Sequence, residues 1–109
     1  MPLVDMRDML NHAYQNNYAI GGFGLVSLDF LEAIIMTAEF CRSPVILNLS
    51  EPLFHQYDFS LIMPAVERAA HHAKVPVAIH FDHAKAHESI VQAINLGCNS
   101  VMLDVSSET

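Results

Sequence analysis

The tetrad His80-Phe81-Asp82-His83 closes an apolar run, Val75-Pro76-Val77-Ala78-Ile79. Charge at the end of a run that reads as a buried strand is costly unless it is paired or binds a metal. The end of a strand feeding a loop is also where α/β enzymes carry their chemistry. Asp82 has the chemistry of a general acid or base, and His83 that of a metal ligand, since imidazole is a common zinc donor. One histidine is not a zinc site: structural zinc takes four ligands and catalytic zinc usually three. By strand alternation His80 shares a face with Asp82, and His83 points the other way unless the strand has already ended. His83 and His87 are spaced to meet on a helix, yet His83 reads as loop. Lys85 has the chemistry for a Schiff base or for pairing with a phosphate, and equally reads as a solvated loop cation. A solvated, silent strand terminus would carry the same residues.

The elements that position these groups follow from periodicity. Asp5 to Asn16 reads as a helix, with Met6, Met9, Leu10 and Ala13 on one face. Tyr18 to Phe23 reads as a strand running into glycines. Ser27 is a plausible N-cap for a helix carrying Leu28, Leu31, Ile34, Ile35 and Ala38. Pro44 to Leu49 is a second strand, ending at Ser50-Glu51-Pro52. Asp58 can cap a helix with Leu61, Ile62, Ala65, Val66 and Ala69 on one face, and Pro64 inside it predicts a kink or a later start. Val75 to Phe81 is the third strand. Glu88 to Leu96 is a helix with Gly97 at its C-terminal end, and Ser100 to Asp104 is a fourth strand.

Strand and helix alternate, with strand starts roughly 25 to 30 residues apart, the length of a β-α unit. Right-handed crossovers make such strands parallel neighbours. Parallel strands end at one edge of the sheet. Those ends read Gly21-Gly22-Phe23-Gly24, Asn48-Leu49-Ser50, Asp82-His83 and Asp104. They bring a glycine turn, a hydroxyl, a carboxylate with an imidazole, and a second carboxylate to one rim, as catalytic groups gather in β/α barrels. The opposite ends, near Tyr18, Pro44, Val75 and Ser100, carry no such set.

Composition narrows the classes. The 109 residues carry 52% hydrophobic residues and a formal net charge of −7. Without a basic stripe there is no nucleic-acid or anionic-membrane footprint, although helix N-termini and loop amides can still hold phosphate. No apolar stretch reaches the ~18 residues of a membrane span. Cys41 and Cys98 form no disulfide framework and fit a reducing, cytoplasmic setting; no signal-peptide pattern opens the chain. No Cys-x-x-Cys, Gly-x-Gly-x-x-Gly or Gly-x-Ser-x-Gly motif is present.

Four segments together resemble the class II, metal-dependent ketose-bisphosphate aldolases, the fructose- and tagatose-bisphosphate family. They are Tyr18-Ala19-Ile20-Gly21-Gly22-Phe23, Ser43-Pro44-Val45-Ile46-Leu47, Val75 to His83 and Ser100-Val101-Met102-Leu103-Asp104. The His-x-Asp-His end of the third strand is the specific match. The resemblance implies an α/β fold: residues 1–109 as the first half, about four β/α units, of a TIM (β/α)8 barrel, truncated after the fourth strand. It implies Asp82 as the acid/base at the C4 hydroxyl and His83 as one ligand of a catalytic zinc. It implies Asp104 as ligand of a second divalent or monovalent cation, and Ser50 as a contact to the sugar-phosphate substrate. The implied reaction is reversible cleavage of a ketose 1,6-bisphosphate to dihydroxyacetone phosphate and an aldehyde, in cytoplasmic carbohydrate metabolism, by a homo-oligomer with no nucleic-acid or membrane partner. The chain departs from the family at Gly24, where many members have Asn. It departs again at Ala84, and at Val105-Ser106-Ser107, where many read Gly-Ser-His. Two other classes compete: a non-catalytic sugar-phosphate-binding or interaction module on the same half-barrel, and a metal-dependent hydrolase. The hydrolase would need further ligands at the first strand, where Gly21-Gly22-Phe23-Gly24 offers none.

Overall fold

The computed structural model describes residues 3–107. Helix α1 (Met6–Gln15) leads into strand β1 (Gly21–Gly24), α2 (Leu28–Cys41) and β2 (Val45–Ser50). Then follow α3 (Glu51–Gln56), α4 (Phe59–His72), β3 (Val77–Ala84), α5 (His87–Asn95) and β4 (Ser100–Leu103). The strands form one parallel sheet in the order β1-β2-β3-β4. Neighbours in sequence are neighbours in the sheet, the usual arrangement of consecutive β-α-β units.

The two faces of the sheet divide the strand residues by parity. Val45, Leu47 and Leu49 of β2 and Val77, Ile79 and Phe81 of β3 join the main core. That core also takes Leu31 and Ala38 of α2, Met63, Val66 and Ala70 of α4, and Ala93 of α5. Ile46 and Ala78 point to the other face, where Met9 of α1 packs against them. The same alternation puts Asn48 and Ser50, and His80 and Asp82, further along that second face. They lie in register, Asn48 beside His80 and Ser50 beside Asp82. Thus α1 covers the beginnings of the strands with apolar contact and leaves their ends to polar side chains.

Local chemistry explains most element ends. The Asp5 carboxylate accepts from the Arg7 amide, the Ser27 hydroxyl from the Phe30 amide and the Asp58 carboxylate from the Ser60 amide, each at a helix N-terminus. Helix α4 runs through Pro64 rather than starting at it. Several bounds differ from the sequence reading, β3 among them, which starts at Val77 rather than Val75. β1 begins at Gly21, because the Tyr18 amide is spent on the Ala13 carbonyl at the end of α1. β2 runs to Ser50 and β3 through His83 to Ala84, and Asp104 lies one residue past β4. An additional short helix, α3, starts directly after Ser50, with Pro52 in its first turn, where a missing amide hydrogen costs nothing.

Candidate active site

The site is built from the C-terminal ends of β2, β3 and β4. Asp82 is the last regular position of β3 on the polar face, paired with Ser50 on β2. Ser50 is half-buried and its hydroxyl does not cap α3, so it is not spent on local structure.

Beyond Phe81 the pairing with β4 slips: Phe81 sits beside Val101, but Ala84 beside Leu103. One extra residue on β3 is a β-bulge, a device that re-aims side chains at strand ends. His83 sits in it with φ 55°, a left-handed conformation that costs a non-glycine residue ~1–2 kcal/mol. The bulge breaks the alternation that would have sent His83 away from Asp82. The imidazole instead turns to the same side, with Nε2 3.4 Å from Asp82 Oδ2. His83 and His87 share no helix, since His83 is in β3 and His87 opens α5.

A continuous line of polar contacts results. His80 Nδ1 meets Ser100 Oγ at 2.7 Å, and its Nε2 lies 3.3 Å from Asp82 Oδ1. Asp82 therefore faces an imidazole on each oxygen. On the far side, His83 Nδ1 lies 3.1 Å from Asp104 Oδ2. Asp104 Oδ1 in turn accepts from the Ser106 hydroxyl at 2.6 Å and its amide at 2.9 Å. The two bonds from Ser106, then the one to His83, hold the Asp104 carboxyl well below the usual carboxylate range, and the charge of Lys85 adds to this. The His80 side chain is 12% exposed and the His83 side chain 57%, so the first is structural in setting and the second open to a ligand.

His83 and Asp104 share a cleft of about 490 Å³ with Glu51, Pro52, His55 and Lys85. Glu51 is buried, 6% exposed. Its carboxylate accepts from the Lys85 amide, and from the Ala86 amide at 3.2 Å. Burial raises its pKa, but these amides, Ser89 and His55 outweigh that and hold the carboxyl below its ordinary value. Sequence reasoning stopped at Ser50 and missed Glu51. Ser50-Glu51-Pro52 reads only as a strand end, and the amides that Glu51 holds lie 34 and 35 residues away.

The structure thus brings Ser50, Asp82, His83 and Asp104 to one rim. Their donor types suit a metal: a bond from Nδ1 to a carboxylate fixes the ring and leaves Nε2 as the nitrogen for a ligand. Among the described residues, however, no three His, Cys, Asp or Glu side chains converge to hold an ion. A catalytic zinc takes three protein ligands, so these residues do not complete such a site by themselves.

Comparison with known proteins gives the family and the fold. Residues 4–109 match the family model described as fructose-bisphosphate aldolase class-II. A Bacillus subtilis (strain 168) protein named "Probable fructose-bisphosphate aldolase" is 44% identical over 109 residues, covering 97% of this chain and 38% of the relative. A Staphylococcus epidermidis (strain ATCC 35984) fructose-bisphosphate aldolase is 39% identical, covering 97% and 38%. Among solved structures, the YdjI aldolase from Escherichia coli K12 superposes with a TM-score of 0.91 at 33% identity, over 96% of this chain and 40% of that one. The chain therefore spans about two-fifths of the length of the proteins it matches, and its four-stranded sheet is part of a barrel.

Proposed function

Because the chain belongs to the class II fructose-bisphosphate aldolase family, we propose that it contributes the acid/base half of a ketose-bisphosphate aldolase site. The reaction is reversible cleavage of a ketose 1,6-bisphosphate. Asp82 takes the proton of the C4 hydroxyl as the C3–C4 bond breaks, which releases an aldehyde and leaves the bonding pair on C3 as the enediolate of dihydroxyacetone phosphate; a proton taken up at C3 completes that product, and in condensation Asp82 returns its proton to the C4 oxygen. The flanking imidazole of His80 supports this role, because its Nε2 lies 3.3 Å from Asp82 Oδ1 and fixes the carboxylate's direction, while His83 stands beside the other oxygen with its Nε2 kept for the metal. Ser50, beside Asp82 in register, offers its hydroxyl to the sugar phosphate.

His83 contributes one imidazole to a catalytic zinc whose other ligands come from outside residues 1–109. Asp104 holds that ring through Nδ1 and offers its carboxylate to a second cation. Zinc, when bound by a full ligand set, supplies Lewis-acid polarisation of the substrate carbonyl. Residues 1–109 form one partial barrel domain in this reading.

The observation that carries the proposal is Asp82 at the rim between two imidazoles, in a chain of this family. The test is Asp82→Asn in a full-length protein carrying this chain. General acid-base catalysis contributes ~10²- to 10⁴-fold, so turnover should fall by about that factor with zinc content unchanged. Turnover within about threefold of the parent would remove Asp82 from the role.

A further inference from the structure

We propose that Glu51 is the positioning residue of His83, acting through the two backbone amides that follow it. The left-handed backbone at His83 needs something to hold it. Asn17 and Arg42 also have positive φ among the described non-glycine residues, but they follow the ends of α1 and α2, where that conformation is a common helix terminator. His83 lies inside a strand, and no helix end accounts for it.

Two restraints bracket it. On the strand side, the Asp104 amide donates to the Ala84 carbonyl at 2.7 Å. On the loop side stands Glu51. Each oxygen of its carboxylate takes a different amide, Oε2 that of Lys85 and Oε1 that of Ala86. A two-point grip of this kind fixes direction as well as distance. One of the two amides Glu51 holds is that of Ala86, the N-cap of α5, so the grip also fixes where that helix starts. His55 Nε2, 3.3 Å from Oε1, and the Ser89 hydroxyl, 3.4 Å from the same nitrogen, close the ring around the carboxylate. Glu51 lines the same cleft as His83. It therefore sets where the turn after β3 begins, and with it the aim of the imidazole. The consequence for metal binding rests on His83 being a zinc ligand, as proposed above; the geometric claim does not.

The experiment separates the two. Glu51→Gln keeps the shape but leaves only one accepting oxygen, so one of the two amides loses its partner. In the 109-residue chain, hydrogen exchange at one of Lys85 and Ala86 should rise at least about tenfold, the lost protection of one such bond, and the His83 ring nitrogen signals should move. Val66→Ala, a cavity in the main core remote from this loop, serves as the control: it should lower the melting temperature and leave the His83 signals in place. In a full-length protein, Glu51→Gln should then weaken zinc about 10- to 100-fold, the usual effect of losing an outer-shell support. His83 signals unchanged in Glu51→Gln, or moved as far by Val66→Ala, would overturn the positioning role. Should the variant not fold, exchange in the parent chain still decides: Lys85 and Ala86 must be protected, and unprotected amides there would refute the grip. Moved ring signals with unchanged zinc affinity would uphold the positioning role and count against the ligand reading instead.

Discussion

His83 Nδ1 lies 3.1 Å from Asp104 Oδ2, a contact that ties the bulge in β3 to the residue just past β4. Asp104 is itself immobilised by Ser106, whose amide and hydroxyl both reach Oδ1. A ring whose Nδ1–H donates to a carboxylate has its tautomer set, with the lone pair on Nε2. The pair is a prepared donor rather than two independent polar residues.

Metal content should therefore respond unequally to the two partners. In a full-length protein, His83→Ala removes a ligand and should reduce bound zinc to background after dialysis. Asp104→Ala removes the support and should weaken zinc only ~10- to 100-fold, leaving it near stoichiometric at saturating metal. Elemental analysis and a metal titration read both. Unchanged zinc in His83→Ala would contradict the ligand role; equal loss in both variants would move Asp104 into the ligand set.

Much of this arrangement was legible before any coordinates. The caps at Ser27 and Asp58 were readable because they act within three residues of themselves. The apolar runs Val45 to Leu47 and Val75 to Ile79 betrayed buried parallel strands, and alternation placed His80 on the same face as Asp82. What escaped was non-local. A bulge centred on histidine leaves no glycine to announce it, so the turn of His83 toward Asp82 depended on the slip against β4. Glu51 reads only as part of the strand end Ser50-Glu51-Pro52, and its grip on Lys85 and Ala86 exists only once β2 and β3 lie side by side. The short helix α3 was hidden because Ser50-Glu51-Pro52 serves a turn as readily as a first helical turn.

The two thiols should differ sharply in reactivity. Cys41 is exposed, whereas Cys98 is buried. Burial, with the nearby charge of Glu67 adding to it, pushes the Cys98 thiol from 9.0 up to about 12. The thiolate is the reactive form, so at pH 8 a thiol reagent should label Cys41 quickly and Cys98 only after denaturant is added. The sign for stability follows. A raised folded pKa means the folded chain keeps a proton that the unfolded chain releases, so this contribution is intact below pH 9.0 and is lost as pH rises toward about 12. Cys98→Ala should flatten that alkaline decline. Fast labelling of both thiols in the native chain would show that Cys98 is not sequestered.

The last expectation concerns the sheet's two sides. Among the described residues β1 and β4 are the end strands, and each has one row of backbone groups without a strand partner. Apolar side chains stand exposed on or near both: Phe23 at 51%, Met102 at 39% and Leu103 at 58%. An eight-stranded barrel removes such edges by closing, which four strands cannot do. A solution of the 109-residue chain should therefore self-associate with rising concentration in sedimentation, and Phe23→Lys with Leu103→Lys should shift it toward monomer, because edge lysines oppose strand addition. The same solution should show no cleavage of fructose or tagatose bisphosphate, since one imidazole falls short of the three ligands a catalytic zinc takes. A monodisperse, zinc-loaded and active assembly would mean that two copies complete the site between them. In that case residues within 1–109 of a second copy would supply the remaining ligands, and the reading that they lie outside this range would be wrong.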